Sequence, residues 1–192
     1  DKGRSDENMS TYSKDRRAYQ YLNDGNLRAA DKFMTSDFFK GMSADHIGPI
    51  SLGFVHDPRY LKPLSTSENS AKRDRISQRD IETIISIHKK TKVSPISWYS
   101  RIIWKFIVEN YQNPNFTMED FTDVLKQNIV DFMYVLKTIK NIGESGENFI
   151  YEFLIKPKID YYNYDYKFDE NGEIIEQTKR NITKSADGVF CK

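Results

Sequence analysis

The sequence predicts an α+β fold, mostly helical, with a small strand–loop–strand–helix unit and a C-terminal β-hairpin. Three observations predict it. From Ser77 to about Leu154 apolar residues recur at spacings of three and four, the helical period. Residues 43–64 are broken by Gly48, Pro49, Gly53, Pro58 and Pro63, which no long helix can cross. Tyr162, Tyr164, Tyr166 and Phe168 alternate with polar residues, the period of a strand with one aromatic face.

Residues 1–10 are polar and expected to be loose. Residues 11–23 fit a helix with Tyr12, Tyr19 and Leu22 on its apolar side, stopped by Asp24-Gly25. A second short helix is expected over 26–34, burying Leu27, Ala30, Phe33 and Met34. Residues 43–64 then read as two short extended stretches joined by a loop. Ser65-Thr66-Ser67 offers N-caps for a helix that holds Asn69 to Arg75.

Beyond Ser77, Ile81, Ile84, Ile85 and His88 mark one helix, with His88 expected to be partly buried and Lys89, Lys90 and Lys92 complementing the dipole at its C-terminus. Ser94-Pro95 is expected to start the next, with Ile96, Tyr99, Ile103, Phe106 and Ile107 on one face. Thr117 and Asp120 form a capping-box start for a long helix burying Phe121, Val124, Leu125, Ile129, Phe132, Val135, Leu136 and Ile139. Gly143 ends it, a further helix spans about 145–154, and Trp98 and Trp104 are expected in the core. Asn171-Gly172 is the turn of a hairpin whose second strand runs over 173–179. The expected segments are 1–42 (helical), 43–76 (the two strands and helix), 77–156 (helical) and 157–192 (hairpin), gathered into one domain.

The aromatic share of 14% supplies a core despite a mean hydropathy of −0.70. No apolar run approaches the roughly 20 residues of a membrane span, and no basic-then-apolar leader opens the chain; a cytoplasmic address is expected. The net charge of +1 neither requires nor excludes nucleic acid, since phosphate is bound by a local patch. The single cysteine, Cys191, can form no internal disulfide, and without a Cys-x-x-Cys pair no structural zinc is expected. The chain begins at Asp1 and ends on Phe190-Cys191-Lys192, which reads equally as an excerpt of a longer protein or as a processed chain.

The chemistry gathers in Ser43-Ala44-Asp45-His46-Ile47-Gly48-Pro49 and Ser67-Glu68-Asn69-Ser70-Ala71-Lys72-Arg73-Asp74-Arg75. A strand, a loop, a returning strand and a first helical turn fit between Asp45 and Asn69 and can bring the two together. A neutral His46 can take a proton from water near pH 7. A carboxylate and an amide oxygen are hard donors suited to Mg²⁺, which keeps several waters and accepts phosphate oxygens. Lys72 lies one helical turn after Asn69, on the same side.

Asp-His-Ile-x-Pro followed by an Asn-x-x-Lys helix start resembles the HNH (ββα-metal) nuclease motif. The fuller strings are similar to the nuclease part of type IIS restriction endonucleases of the BsaI/BsmAI family. The resemblance implies Mg²⁺-dependent cleavage of double-stranded DNA (Mn²⁺ as a substitute), leaving 5′-phosphate and 3′-hydroxyl. It makes Asp45 and Asn69 metal ligands, His46 the general base and Lys72 a phosphate contact. Cutting both strands needs two sites, hence a homodimer or sequential nicking. The motif's middle Asn falls near Tyr60, so another group must orient His46: His56, Asp57 or a backbone carbonyl.

Each feature has a plainer alternative. Asp-His alone is a common loop pair, and His56-Asp57-Pro58-Arg59 is most simply a turn. Lys72, Arg73, Arg75 and Arg79 read as a phosphate-binding edge or as a solvated helix face. The Tyr162–Phe168 stripe reads first as the buried face of a hairpin and second as a base-stacking platform. Glu-x-Lys, the signature of a rival nuclease class, does not occur, nor does a Gly-rich phosphate loop. A second functional reading is a DNA-binding module on a catalytically degenerate HNH fold, motivated by the vacant middle position.

Overall fold

The computed structural model describes residues 22–156 and 164–179. The helix expected over 11–23, the first residues of the aromatic stripe and Cys191 fall outside them, apart from Leu22 and Asn23, which are buried but not helical.

In chain order the elements are α1 (Leu27–Met34), β1 (Ser43–His46), β2 (Leu61–Leu64), α2 (Thr66–Lys72), α3 (Gln78–Thr91), α4 (Arg101–Asn110), α5 (Met118–Lys140), α6 (Glu144–Ile150), β3 (Tyr164–Phe168) and β4 (Ile174–Lys179). A π-helical turn, Tyr151–Ile155, extends α6. The fold is α+β and mostly helical, as the sequence predicts, with two two-stranded antiparallel sheets among the described residues. In the first, Asp45 sits opposite Lys62 and His46 opposite Leu61. Pro63 is tolerated because each strand of so small a sheet has a free edge.

The helix starts follow the local chemistry. Ser65, Ser77 and Thr117 each cap α2, α3 and α5 in a reciprocal capping box, with Glu68, Asp80 and Asp120 respectively. One hydrophobic cluster then joins the loop between β1 and β2 (Leu52, Phe54, Val55) to Ile76, Ile81 and Ile84 of the α3 region and to Trp104, Ile107, Phe121 and Leu125 of α4 and α5. Phe54 is its hinge: its ring meets Trp104 edge-on at 5.4 Å. A Cβ on Gly48 would lie 2.3 Å from that ring, so only glycine lets the chain leave β1 this closely packed. Full burial of a Phe side chain is worth about 1.5–3 kcal/mol, which ties the loop after β1 to the helical core.

The structure corrects several expectations. α4 starts at Arg101, not at Ser94-Pro95. The intervening chain is extended and pairs with the β1–β2 loop: Val55 N donates to Pro95 O at 3.0 Å and Ser97 N to Gly53 O at 2.8 Å. That tertiary pairing overrides the local helical pattern. Trp98, directly after this stretch, and Phe106 of α4 are exposed, whereas Trp104 is buried as expected. On α5 the buried stripe is Phe121, Leu125, Ile129, Met133 and Leu136; Val124 and Val135 lie on its flanks in solvent. His88 is exposed. Tyr164, Tyr166 and Phe168 share one half-buried face of the hairpin, and Phe168 packs on Phe33 of α1 at 4.9 Å. Gly172, in the turn, has a φ of +75° and packs against the Pro58 carbonyl. No helix among the described residues is long and apolar enough to cross a membrane.

Candidate functional site

Asp45 and His46 are the last two residues of β1, so their side chains leave on opposite faces of the strand. Asp45 turns toward α2 and α3. His46 turns toward the β1–β2 loop and α1. Where the strand ends, both border a cleft of about 300 Å³ that Asn69, Arg73 and Asp74 close from the side of α2. Thus β1 and α2 bring Asp45, His46 and Asn69 to one cavity.

On the Asp45 side, Lys72 Nζ donates to Asp45 Oδ2 at 2.6 Å and to the carbonyls of His46 and Ile47 at 2.8 and 2.9 Å. An ammonium has three donors, and all three are used. Lys62 Nζ lies 2.8 Å from Asp80 Oδ1, and the cross-distances Lys62–Asp45 and Lys72–Asp80 are both 3.9 Å. β1, β2, α2 and α3 each contribute one charge to this network. Burial holds the Asp45 carboxyl above its ordinary value, against the hydrogen bond and charge of Lys72. Burial would raise Asp80 too, but hydrogen bonds from Lys62 and Ser77 carry it below its ordinary value. Both cations approach Oδ2 of Asp45; Oδ1 has no polar partner among the described residues. The side-chain amide of Asn69, half-buried on the middle of α2, likewise has none among them.

On the His46 side, Nε2 lies 2.7 Å from His56 Nδ1, and His56 Nε2 lies 2.9 Å from Asp31 Oδ1 on α1. His56 is 2% exposed, so it is not the simple surface turn its sequence context suggests. Tyr60, at the motif's middle position, is a core residue whose hydroxyl donates to Val93 O at 2.6 Å. Asp57 is engaged elsewhere, accepting from Arg59 Nε at 2.7 Å and from the Asn26 amide at 3.2 Å. Asp31 is the residue that sequence reading missed, along with Asp74 in the cleft. No local pattern marks Asp31, because its partner is 25 residues away on another element.

Burial, then the neighbouring His56 and Lys72, pushes the His46 imidazole down to about 3 from an ordinary 6.5. His46 is therefore neutral throughout the neutral range. The unfolded chain binds more protons than the native one between these values, so native stability falls as pH drops through 6.5 toward about 3. His46→Gln should flatten that part of the stability–pH curve measured by urea unfolding; an unaltered curve would contradict the burial of a neutral imidazole.

Around the cleft, Arg73 is exposed at the C-terminus of α2 with a left-handed φ of +51°. Arg75 turns its guanidinium back onto the carbonyls of Ala71 and Lys72. Both border an open groove that reaches Lys126 of α5. Among the described residues no three His, Cys, Asp or Glu side chains gather where a metal ion would sit. The donors in the cleft are instead the Asp45 carboxylate and the Asn69 amide oxygen, with the Asp74 carboxylate bordering the same space. These are hard oxygen donors, a set that fits a small divalent cation which retains much of its water.

The sequence pattern of a type II restriction endonuclease family (RE_Alw26IDE) matches residues 1–186. No curated protein and no solved structure matches the chain.

Proposed function

Because the chain belongs to this family of type II restriction endonucleases, enzymes that hydrolyse DNA, we propose that Asp45, His46 and Asn69 form its cleavage site and that the site is of the Mg²⁺-dependent HNH type. One observation carries the reading: β1 brings a carboxylate and a neutral imidazole, and α2 an amide, to the same cleft. Asp45 and Asn69 are the residues that would hold the ion. When bound, Mg²⁺ (or Mn²⁺ in its place) supplies Lewis-acid stabilisation of the leaving oxygen.

The remaining steps belong to the chain. His46 takes the proton of the attacking water. Lys72 sets the Asp45 carboxylate and the end of β1 in place through its three hydrogen bonds; to contact phosphate as well it would have to release one of them. Arg73 and Arg75, on the rim and the adjoining groove, are suited to the phosphates on either side of the scissile bond. In the type IIS reading the cut falls at a fixed offset from the recognition sequence, and double-strand cleavage uses a homodimer or two successive nicks. Such an enzyme meets its DNA in the cytoplasm.

The ion pair on Asp45 and the tyrosine at the middle position favour one rival, a degenerate HNH-fold module that binds DNA without cutting it. Calorimetric titration of Mn²⁺ into the protein with DNA present separates the two. The nuclease reading expects binding that Asp45→Ala and Asn69→Ala each abolish, together with cleavage of plasmid DNA in Mg²⁺. Absence of metal binding and of cleavage in the native protein would establish the degenerate module.

A further inference from the structure

We propose that Asp31 and His56 form a hydrogen-bonded relay that fixes His46 as its Nε2–H tautomer, leaving Nδ1 as the nitrogen that accepts the proton. The relay fills the positioning role that the motif's middle residue leaves vacant. The assignment of His46 as base rests on the reading above; the tautomer does not.

The proton positions follow from the two distances. A carboxylate only accepts, so across the 2.9 Å contact His56 Nε2 is the donor and Asp31 Oδ1 the acceptor. A neutral imidazole carries one N–H, so with Nε2 protonated His56 Nδ1 is a bare lone pair. The 2.7 Å separation between His56 Nδ1 and His46 Nε2 requires a proton between them. With both imidazoles neutral it comes from His46 Nε2, and His46 Nδ1 is then the bare nitrogen; a doubly protonated His56 would donate from both its nitrogens and leave His46 as the Nδ1–H tautomer. The reverse assignment would set a lone pair of His56 against the Asp31 carboxylate. One ring nitrogen's hydrogen bond thus determines what the other can do.

The surroundings hold His56 where the relay needs it. Its backbone amide donates to Asn23 Oδ1 at 2.6 Å, and Asn23, fully buried, also donates from Nδ2 to Phe54 O at 2.7 Å. Gly25 packs against the other side of the peptide, where a Cβ would lie 2.2 Å from His56 O. α1, which carries Asp31, is tied to the same loop: Asn26 caps its first turn and donates its own amide to Asp57 Oδ2. The Asp31 side chain is 73% exposed, so its carboxylate keeps water on its free side and can be replaced without opening the core.

With only three histidines in the chain, ¹⁵N-histidine-labelled protein gives a resolvable long-range ¹H–¹⁵N spectrum, recorded at pH 8 without metal or DNA. The relay expects His46 as the Nε2–H tautomer in the native protein and a mixture of tautomers in Asp31→Ala. His46 as the Nδ1–H tautomer in the native protein would overturn it. In Mg²⁺, His56→Ala is expected to lower the single-turnover cleavage rate by about 10–100-fold with DNA affinity unchanged, in the range for groups that orient an active-site imidazole. His56→Asn, whose Oδ1 stands near the position of Nδ1, is expected to recover most of that loss. Where His46→Ala cleaves slowly, equal rates in His56→Ala and the native protein, with both folded by circular dichroism, would also overturn the relay. If instead His46→Ala cleaves at the native rate, the base assignment falls while the tautomer measurement stands on its own.

Discussion

His46→Ala is expected to lower the single-turnover rate of DNA cleavage by about 10³-fold, within the roughly 10²–10⁴-fold range of a positioned general base. DNA affinity should be retained. The arginines assigned to phosphate, Arg73 and Arg75, are other residues, and Lys72 bonds position 46 through its backbone carbonyl, which alanine keeps. The pH profile provides a second readout. Because burial holds the imidazole neutral down to about 3, the kcat/KM of the free enzyme should not fall with a midpoint near 6.5. A native-like cleavage rate in His46→Ala, measured by rapid quench, would refute the assignment of the base.

Lys72→Met is expected to cost about 3–5 kcal/mol of unfolding free energy, because it strands a buried carboxylate without its partner. The side chains are only 13% and 6% exposed, so solvent screens this pair little. Two backbone carbonyls, of His46 and Ile47, lose their donor at the same time. The sign of the pH dependence follows from Asp45. Burial already raises its carboxyl, and loss of Lys72 removes the main force that lowers it. A native group with a raised value binds protons more readily than the unfolded chain does, so acidification relieves the strain. The destabilisation of Lys72→Met should therefore shrink as pH falls through the acid range in urea unfolding. A double variant, Asp45→Asn with Lys72→Met, should recover part of the lost stability. A cost that is equally large at all pH values would show that Lys72 acts through packing alone.

The legible parts of the fold are those whose causes are local. Ser65, Ser77 and Thr117 stand three residues before an acidic partner, and each starts a helix by a hydrogen-bond exchange that needs no other part of the chain. Asn171-Gly172 makes its turn because glycine adopts the positive φ there. The Pro and Gly residues of 43–64 exclude a helix, which leaves room only for two short strands. From these, Asp45, His46 and Asn69 could be chosen as partners, since strand, loop, strand and helix return α2 to the end of β1.

Other features depended on contacts between distant parts of the chain. Residues 95–97 carry a helical pattern but stay extended, because Gly53 and Val55 offer them backbone partners and Phe54 needs their cover. Trp98 and His88 are exposed, and Val124 and Val135 flank rather than join the buried stripe, because the packed partner, not the apolar content of the helix, decides which arc is covered.

For the site, local chemistry is enough to set Asp45, His46, Asn69 and Lys72 at the end of β1 and on α2. How these side chains are engaged depends on the packing of distant segments. Lys72 lies in a sequence region that reads as a basic edge, yet its ammonium is bound inward, because burying Asp45 requires a cation within hydrogen-bond reach. His46 meets His56 across the β1–β2 loop, and His56 meets Asp31 on a helix that precedes the motif. Hydrogen bonds act over about 3 Å, and residues separated by 10 and 25 positions come that close only once the core between them has formed.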